Sequence, residues 1–236
     1  MTDGRDYGAT LAEGRALFPG VRIGRPGRTP VYWAVVTLLR LLRLGLRVRV
    51  EGGEHVARGP AVLIGNHVSA LDPVVVVMGT WWRVTAFTKL EWFAGPIAPF
   101  FRAMGQIPLR RGDEAATAWA MRIARLTLDG GGKIGLYPEG TRSPDPAVLH
   151  RLHRRVMLPL LRAAPDVPVH AVTTTYTARR GRRREAVVRV SPPLSLGVEN
   201  RSADEVTACV RDALLVLSGQ TYSDEYARDV KKRLSR

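Results

Sequence analysis

Short apolar runs alternate with longer helical patterns along most of the chain. Ala61 to Gly65, an apolar run between Pro60 and Asn66, is typical of a buried strand. Similar patterns predict strands at Arg47 to Glu51, Val84 to Thr88, Gln106 to Leu109, Lys133 to Tyr137, Val167 to Tyr176 and Ala186 to Ser191. Helical spacing predicts helices at Leu71 to Trp82, Phe93 to Met104, Asp113 to Leu128, Val148 to Ala164 and Ala203 to Leu217. The valine run in the first of these also permits a strand. This alternation predicts a single α/β domain, in which helices flank a mixed, mostly parallel sheet.

A wide apolar face also lies near the N-terminus, between Pro30 and Leu46. Arg40, Arg43 and Arg47 fall at i, i+3 and i+7, which is one stripe of a helix. A membrane-spanning helix needs about 20 apolar residues with few charges, and this segment is shorter and contains arginines. Two interpretations remain. We predict an amphipathic membrane-associating helix with its arginines toward lipid phosphates, and the alternative is an ordinary helix that covers the sheet.

The composition is strongly basic. The 236 residues include 36 Lys and Arg against 21 Asp and Glu, a formal net charge of +15. This charge favours polyanionic partners, and its sign alone does not choose among nucleic acid, anionic lipid and phosphorylated cofactors. The basic residues are scattered and form no nucleic-acid-binding motif. We therefore expect an anionic membrane surface as a partner and no nucleic acid.

The sequence also bears on compartment and metals. Met1 to Leu17 lacks the basic start and apolar run of a secretory signal, so we expect a peripheral or monotopic protein at the cytoplasmic face of the cell membrane. Cys209 is the sole cysteine, which excludes an internal disulfide. The five histidines lack metal-ligand spacing, so we expect no metal site.

Three polar clusters each follow a predicted strand. They are Asn66 to Asp72, Arg110 with Arg111, and Pro138 to Ser143. If these strands are parallel, the clusters share one edge of the sheet, where ligands of open α/β sheets bind. The sequence thus predicts a site in which a histidine, two carboxylates and several arginines converge.

The first cluster can support base chemistry. His67 could remove a hydroxyl proton near neutral pH, with the Asp72 carboxylate holding the other ring nitrogen. The alternative is a hydrogen-bonded loop pair without a catalytic role. The catalytic interpretation requires His67 to lie in a turn before a helix that begins near Ser69, with Asn66 or Ser69 as its cap.

The other two clusters can bind phosphate. Arg111 is either a solvated surface arginine or a planar donor to phosphate. Residues Pro138 to Ser143 are either a simple turn or a site in which Glu139 offers an acceptor beside Gly140 and Arg142 adds a second phosphate donor. Neither cluster decides between its alternatives alone.

Together these residues resemble the glycerolipid acyltransferase family that includes the 1-acyl-glycerol-3-phosphate acyltransferases. The family signature is N-H-x-x-x-x-D followed at a distance by P-E-G-T-R, and both motifs stand here intact. The resemblance implies that His67 is the base and Asp72 its partner. It places Arg111, Glu139, Gly140, Thr141 and Arg142 at the acceptor phosphate and matches Lys89 to a further supporting block.

The resemblance also implies a reaction. An acyl thioester, either acyl-CoA or acyl carrier protein, would donate the acyl group without a bound cofactor, and a lysophospholipid hydroxyl would attack it directly. Backbone N–H groups near Ser69 could stabilise the oxyanion. We expect 1-acyl-glycerol-3-phosphate as acceptor and phosphatidate as product, with another lysophospholipid or a glycolipid as the alternative acceptor. The alternative from a different class is a basic, non-enzymatic lipid- or nucleic-acid-binding protein. We predict a polar segment over 1–29, the membrane-associating helix over 30–46, the acyltransferase domain over 47–218 and a basic tail over 219–236.

Overall fold

A computed structural model describes residues 4–42, 46–110, 112–177 and 184–235 of the chain. Within these ranges nine strands form two sheets, and the larger has the order β1-β8-β7-β2-β5-β3-β4. The strands are β1 Leu46–Glu51, β2 Ala61–Gly65, β3 Val84–Lys89, β4 Ile107–Leu109, β5 Lys133–Leu136, β6 Val148–His150, β7 Val169–Tyr176, β8 Arg184–Val190 and β9 Thr221–Ser223. Strands β6 and β9 form a separate parallel pair.

Five neighbouring strands of the larger sheet, β7, β2, β5, β3 and β4, run parallel to one another. Strand β8 runs antiparallel to β7, and β1 runs parallel to β8 at the outer edge. The predicted mixed, mostly parallel sheet is therefore confirmed. The carboxyl ends of the five parallel strands, including those followed by all three polar clusters, lie at the same edge.

Helices cover both faces of this sheet. They are α1 Gly4–Leu17, α2 Tyr32–Leu42, α3 Asp72–Thr80, α4 Ala98–Ala103, α5 Glu114–Asp129, α6 Arg154–Ala163, α7 Ala203–Ser218 and α8 Ala227–Leu234. Strand β2 shows the layering, because Val62 and Ile64 pack in the core with α1, α5, α6 and α7, whereas Ala61 and Leu63 pack with α3 on the other face. A Cβ at Gly79 of α3 would lie 2.8 Å from Val48 and Val50 side-chain atoms, so a glycine there permits close helix–sheet packing.

Most predicted elements are confirmed, and the helix predicted over Val148 to Ala164 is wrong at its start. Residues Val148–His150 pair with Thr221–Ser223 as strands β6 and β9, and helix α6 begins only at Arg154. The partner strand lies far along the chain, so helical periodicity could not reveal the pairing. The helix predicted over Phe93 to Met104 is also shorter, because α4 begins at Ala98, after the Gly95-Pro96 pair, a helix-breaking dipeptide.

Helix α2 lies within the predicted N-terminal apolar segment, and its association with a membrane stays a prediction. The predicted arginine stripe is wrong. Leu46 and Arg47 begin strand β1, so Arg47 does not share the helix with Arg40, and Arg43 lies outside the described residues. The Arg40 guanidinium lies 4.1 Å from the centre of the Trp81 ring and donates a hydrogen bond to the Met78 carbonyl. Arg40 is therefore engaged by the protein itself. No helix within the described ranges is long and apolar enough to cross a bilayer.

The two ends of the chain pack on the domain. Tyr7 and Leu11 of α1 are buried against α5, and Phe18 makes an edge-to-face contact with Trp119 at 5.4 Å between ring centres. At the other end, strand β9 and helix α8 are mostly exposed, but Ala227 is fully buried. The predicted domain boundaries stay a prediction.

Candidate active site

The carboxyl edge of the parallel strands collects the polar residues that the sequence singled out. Asn66 and His67 follow β2, Glu139 follows β5, Lys89 ends β3 and Arg110 follows β4. Because these strands are parallel neighbours, their following loops lie side by side. The structure joins the first and third clusters through Glu139 and Ser143, which both contact the His67 backbone. Arg110 lies at the same edge without a contact to them, and Arg111 lies outside the described residues.

His67 and Asp72 form the central pair. The Nδ1 atom of His67 lies 2.9 Å from Oδ2 of Asp72, and the aspartate is fully buried while the histidine side chain keeps 19% exposure. A carboxylate only accepts hydrogen bonds, so in the neutral ring Nδ1 carries the proton and Nε2 keeps its lone pair. The pair therefore presents an unprotonated nitrogen on a ring that solvent can reach.

Asp72 is held by more than the histidine. Its Oδ2 atom also accepts from the backbone N–H groups of Val68 and Ser69, each at 2.8 Å, and its Oδ1 atom accepts from the Tyr176 hydroxyl at 2.8 Å. Burial and the Asp72 carboxylate raise the pKa of Tyr176, which keeps the hydroxyl protonated as a donor. Four donors thus fix the carboxylate and, through it, the imidazole.

These contacts correct two expectations. Helix α3 begins at Asp72 with Leu71 as its cap, not near Ser69, and neither Asn66 nor Ser69 caps it with a side chain. The N–H groups of Val68 and Ser69 both donate to Asp72, and an oxyanion donor elsewhere near Ser69 stays a prediction. His67 does lie in a turn before the helix, as the catalytic interpretation required.

Tyr137 supports the imidazole from one side. Its ring stacks on the His67 ring with centres 4.6 Å apart and an angle of 28°. Gly65 permits this arrangement, since a Cβ there would lie 2.9 Å from the Tyr137 ring and 3.0 Å from the Val172 carbonyl. The final glycine of β2 thus makes room for the tyrosine that restricts rotation of His67.

Glu139 clamps the backbone of the turn that bears His67. It is fully buried, and its two oxygens accept from the backbone N–H groups of His67 at 2.9 Å and His150 at 3.1 Å. The same loop holds the other side of the peptide, because the Ser143 N–H donates to the His67 carbonyl at 2.7 Å. With both oxygens occupied, Glu139 positions His67 in this structure, and a direct contact with phosphate stays a prediction.

The titration of Glu139 gives a measurable signature. Burial raises its pKa from 4.5 to about 7, against the opposing effect of the two backbone donors. Between these values the folded state holds a proton that the unfolded chain releases, so this group makes stability fall as pH rises from about 4.5 to about 7. We expect the free energy of unfolding of the wild type, relative to that of Glu139→Gln, to fall by roughly 2–3 kcal/mol from pH 5 to pH 8.

Urea unfolding of both proteins at the two pH values checks this expectation. Subtracting the two free energies of unfolding at each pH cancels the contribution of all other titrating groups, because both proteins contain them. A difference that stays constant with pH would show that Glu139 is ionised in the folded protein throughout.

The basic residues at this edge differ in their surroundings. Arg110 donates to Asp113 at 3.2 Å and lies 5.1 Å from the centre of the Phe18 ring, so it is engaged within the protein. Lys89 and Arg142 are exposed, and Thr141 and Gly140 are half-buried in the loop over residues 138–143. Lys89 and Arg142 are therefore the described basic residues, among those predicted, that an anion could reach.

Asn66 has a structural partner that the sequence did not suggest. Its Oδ1 atom accepts from the Thr174 N–H at 2.9 Å, and its Nδ2 atom donates to Oε1 of Gln220 at 3.0 Å. Asn66 thus joins the turn that bears His67 to β7 and to Gln220, which follows α7.

Residues beyond α7 complete the surroundings of the site. The Glu225 carbonyl accepts from the Arg151 N–H at 3.1 Å and lies 3.2 Å from Nδ1 of His150, and the Tyr226 ring stacks on His153 with centres 4.3 Å apart. Sequence reasoning missed the site contacts of Tyr137, Tyr176 and Gln220, since each depends on a distant partner in the chain. Within the described ranges, no group of three or more His, Cys, Asp or Glu side chains could hold a metal ion.

The fold and the His67–Asp72 pair define an α/β protein in which a buried carboxylate holds a partly exposed imidazole at the carboxyl edge of the sheet. The family model described as Acyltransferase matches residues 47–175, more than half of the 236 residues. The chain belongs to the Acyltransferase family, which confirms the resemblance drawn from its motifs. The matched stretch contains His67, Asp72, Glu139 and Arg142 and ends one residue before Tyr176.

Relatives of known name agree with this assignment. A 1-acyl-sn-glycerol-3-phosphate acyltransferase from Limnanthes douglasii is 26% identical over 171 residues, 70% of this chain and 60% of the relative. A chloroplastic 1-acyl-sn-glycerol-3-phosphate acyltransferase from Arabidopsis thaliana is 28% identical over 116 residues, 48% of this chain and 31% of the relative. The chain therefore spans less than two thirds of the length of these curated relatives.

A solved structure shares the fold. The crystal structure of the 1-acyl-sn-glycerophosphate acyltransferase PlsC from Thermotoga maritima aligns with a TM-score of 0.54 and 19% sequence identity. The alignment covers 97% of this chain and 88% of that one. The N-terminal and C-terminal segments thus take part in the alignment together with the central sheet.

Proposed function

We propose that this protein transfers a fatty acyl group from a thioester to the free hydroxyl of 1-acyl-glycerol-3-phosphate, giving phosphatidate. The observation that carries the proposal is the His67–Asp72 pair, in which a buried carboxylate with four donors fixes a partly exposed imidazole. Membership of the Acyltransferase family supports the reaction class. The similarity to 1-acyl-sn-glycerol-3-phosphate acyltransferases supports the choice of acceptor.

The pair can perform the proton transfers of this reaction. His67 Nε2 takes the proton of the acceptor hydroxyl as its oxygen attacks the thioester carbonyl, and Asp72 stabilises the imidazolium that forms. The tetrahedral intermediate then collapses, the carbon–sulfur bond breaks, and the leaving thiolate receives the proton from His67. No covalent bond between enzyme and acyl group is required, and the donor is acyl-CoA or acyl carrier protein.

The acceptor phosphate lies near Arg142 and Lys89 in this proposal. Both side chains are exposed at the carboxyl edge of the sheet, in the loop that follows β5 and at the end of β3. Gly140 and Thr141 belong to the same loop, and Arg111 follows β4 at the same edge. A planar guanidinium and an ammonium suit a phosphate with two negative charges.

The decisive experiment is acyl transfer from labelled acyl-CoA or acyl carrier protein to a panel of acceptors. The panel contains 1-acyl-glycerol-3-phosphate, other lysophospholipids and a glycolipid. Transfer that is greatest with 1-acyl-glycerol-3-phosphate supports the proposal. Transfer confined to another acceptor would keep the chemistry and reject the substrate, and no transfer from either donor would reject both.

We further propose that α2 rests on an anionic membrane surface at the cytoplasmic face. Four large apolar side chains on or next to this helix are well exposed: Val31, Trp33, Leu38 and Leu41, the last at 74%. Trp81 lies beside Trp33, with ring centres 6.1 Å apart, and is also exposed. An apolar face that carries tryptophan is typical of helices that lie in the membrane interface.

Leu41→Asp is expected to weaken co-sedimentation with vesicles that contain phosphatidylglycerol by about tenfold, because a leucine contributes about 1.5–3 kcal/mol when it leaves water. Val216→Asp is a matched control. It also replaces an exposed apolar side chain by aspartate, but on α7, where Val216 is 84% exposed. Equal effects of the two substitutions would contradict a membrane contact through α2.

A further inference from the structure

Helix α8 carries a basic residue that reaches the catalytic edge from the far end of the chain. Lys231 is half-buried, whereas its helix neighbours Arg228, Lys232 and Arg233 are exposed. It interacts electrostatically with Arg142, Lys89 and Glu139. Lys231 therefore lies within electrostatic range of two cations from separate parts of the chain and of Glu139 in the loop that clamps His67.

The position of α8 is set by specific contacts. The Glu225 carbonyl and the Tyr226 ring bind the segment over residues 150–153, and the His150 N–H in turn donates to Glu139. The Arg233 guanidinium donates two hydrogen bonds, of 2.6 and 2.9 Å, to the Glu225 carboxylate. These bonds link the last turn of α8 to the segment just before its first residue. The helix is thus fastened to the same backbone that holds the catalytic loop.

The cluster of Lys89, Arg142 and Lys231 lacks matching negative charge. Within the part of the chain that the structure describes, no carboxylate forms an ion pair with any of the three, although nine arginines elsewhere do so. Burial and the nearby Arg142 and Lys89 charges lower the pKa of Lys231, and Glu139 opposes this only in part. Like charges held together destabilise a fold, and a bound anion would relieve the repulsion.

We propose that Lys231 binds the phosphate of the acceptor lipid together with Arg142 and Lys89, so that helix α8 forms one wall of the acceptor site. This inference rests on the proposed function. It adds a residue outside the stretch that the family model matches, which ends at residue 175. A phosphate dianion between the three side chains would neutralise most of their charge and leave the lipid hydroxyl directed toward His67.

The test compares steady-state transfer to 1-acyl-glycerol-3-phosphate by wild type, Lys231→Ala, Lys231→Arg and Lys232→Ala. We expect Lys231→Ala to raise KM by about tenfold with kcat within about twofold, because a lysine–phosphate hydrogen bond contributes mainly to binding. Lys231→Arg is expected to restore most of the lost affinity. Lys232→Ala removes the same charge from the same helix on its exposed side and is expected to leave KM unchanged.

Each outcome decides the question. Two results overturn the role of Lys231 and leave the proposed function standing, provided that the wild type transfers normally. In the first, Lys231→Ala keeps the wild-type KM, and in the second, Lys231→Ala and Lys232→Ala shift KM equally. A wild type that acylates no phosphate-bearing acceptor rejects the proposed function itself. If the melting temperature of Lys231→Ala falls, Lys231→Gln, which keeps most of the aliphatic stem, takes its place in the comparison.

Discussion

Substitution of His67 by alanine is expected to lower kcat for acyl transfer by about 10³-fold while binding to lipid vesicles is retained. A general base of this kind typically contributes 10²- to 10⁴-fold, and no second group in the turn over residues 66–72 can replace Nε2. The measurement is single-turnover transfer of a labelled acyl group to 1-acyl-glycerol-3-phosphate, which isolates chemistry from product release.

His55→Ala is the matched control for this variant. His55 lies after β1, which runs opposite to β2, so it occupies the other edge of the sheet, where its ring contacts the Val190 carbonyl. We expect wild-type turnover from it. Substantial transfer by His67→Ala in the same assay would show that another group activates the hydroxyl.

Asp72→Asn is expected to cost about as much in turnover, roughly 10³-fold, for an electrostatic reason. An amide oxygen can still accept from His67, Val68 and Ser69, and its nitrogen can donate to the Tyr176 oxygen, so the geometry survives. What disappears is the negative charge that stabilises the imidazolium. We therefore expect a stability loss of only about 1–2 kcal/mol, since three of the four donors keep their acceptor and only the Tyr176 hydroxyl loses its own.

Turnover and urea unfolding of Asp72→Asn, measured together with Tyr176→Phe, separate charge from structure. Tyr176→Phe removes one donor from the same carboxylate and keeps its charge, so its kcat is expected to fall by no more than about tenfold. If both variants lost turnover equally, the carboxylate would act by holding the turn in place, and its charge would be irrelevant to the reaction.

The parallel sheet and the core of the site were predictable because both depend on local patterns. Strands β2 and β5 are short apolar runs, and each is followed at once by polar residues. Parallel strands place such followers at one edge, so the approach of His67 to Glu139 follows from the order of elements without knowledge of the side-chain geometry. The pairing of His67 with Asp72 was predictable for the same reason, because the two residues are five positions apart and lie within one turn.

The contacts that complete the site were not predictable, because each joins distant parts of the chain. Nothing near Tyr176 in sequence indicates that its hydroxyl binds Asp72, which lies 104 residues earlier. The β6 strand was mistaken for helix for the same reason, since its partner is β9. Lys231 lies in a basic stretch whose composition is that of a solvated surface, and only the packing of α8 distinguishes it from Lys232.

The link between Asn66 and Gln220 spans 154 residues and has a consequence for how the molecule is made. During synthesis all seven strands of the larger sheet have been made once β8 has left the ribosome, whereas the turn that bears His67 gains this partner only after α7 has followed. Contacts of such long sequence separation also form slowly in refolding. We therefore expect the hydrogen bond between Asn66 and Gln220 to form after the sheet, at a stage when Asp72 and Glu139 already hold the turn.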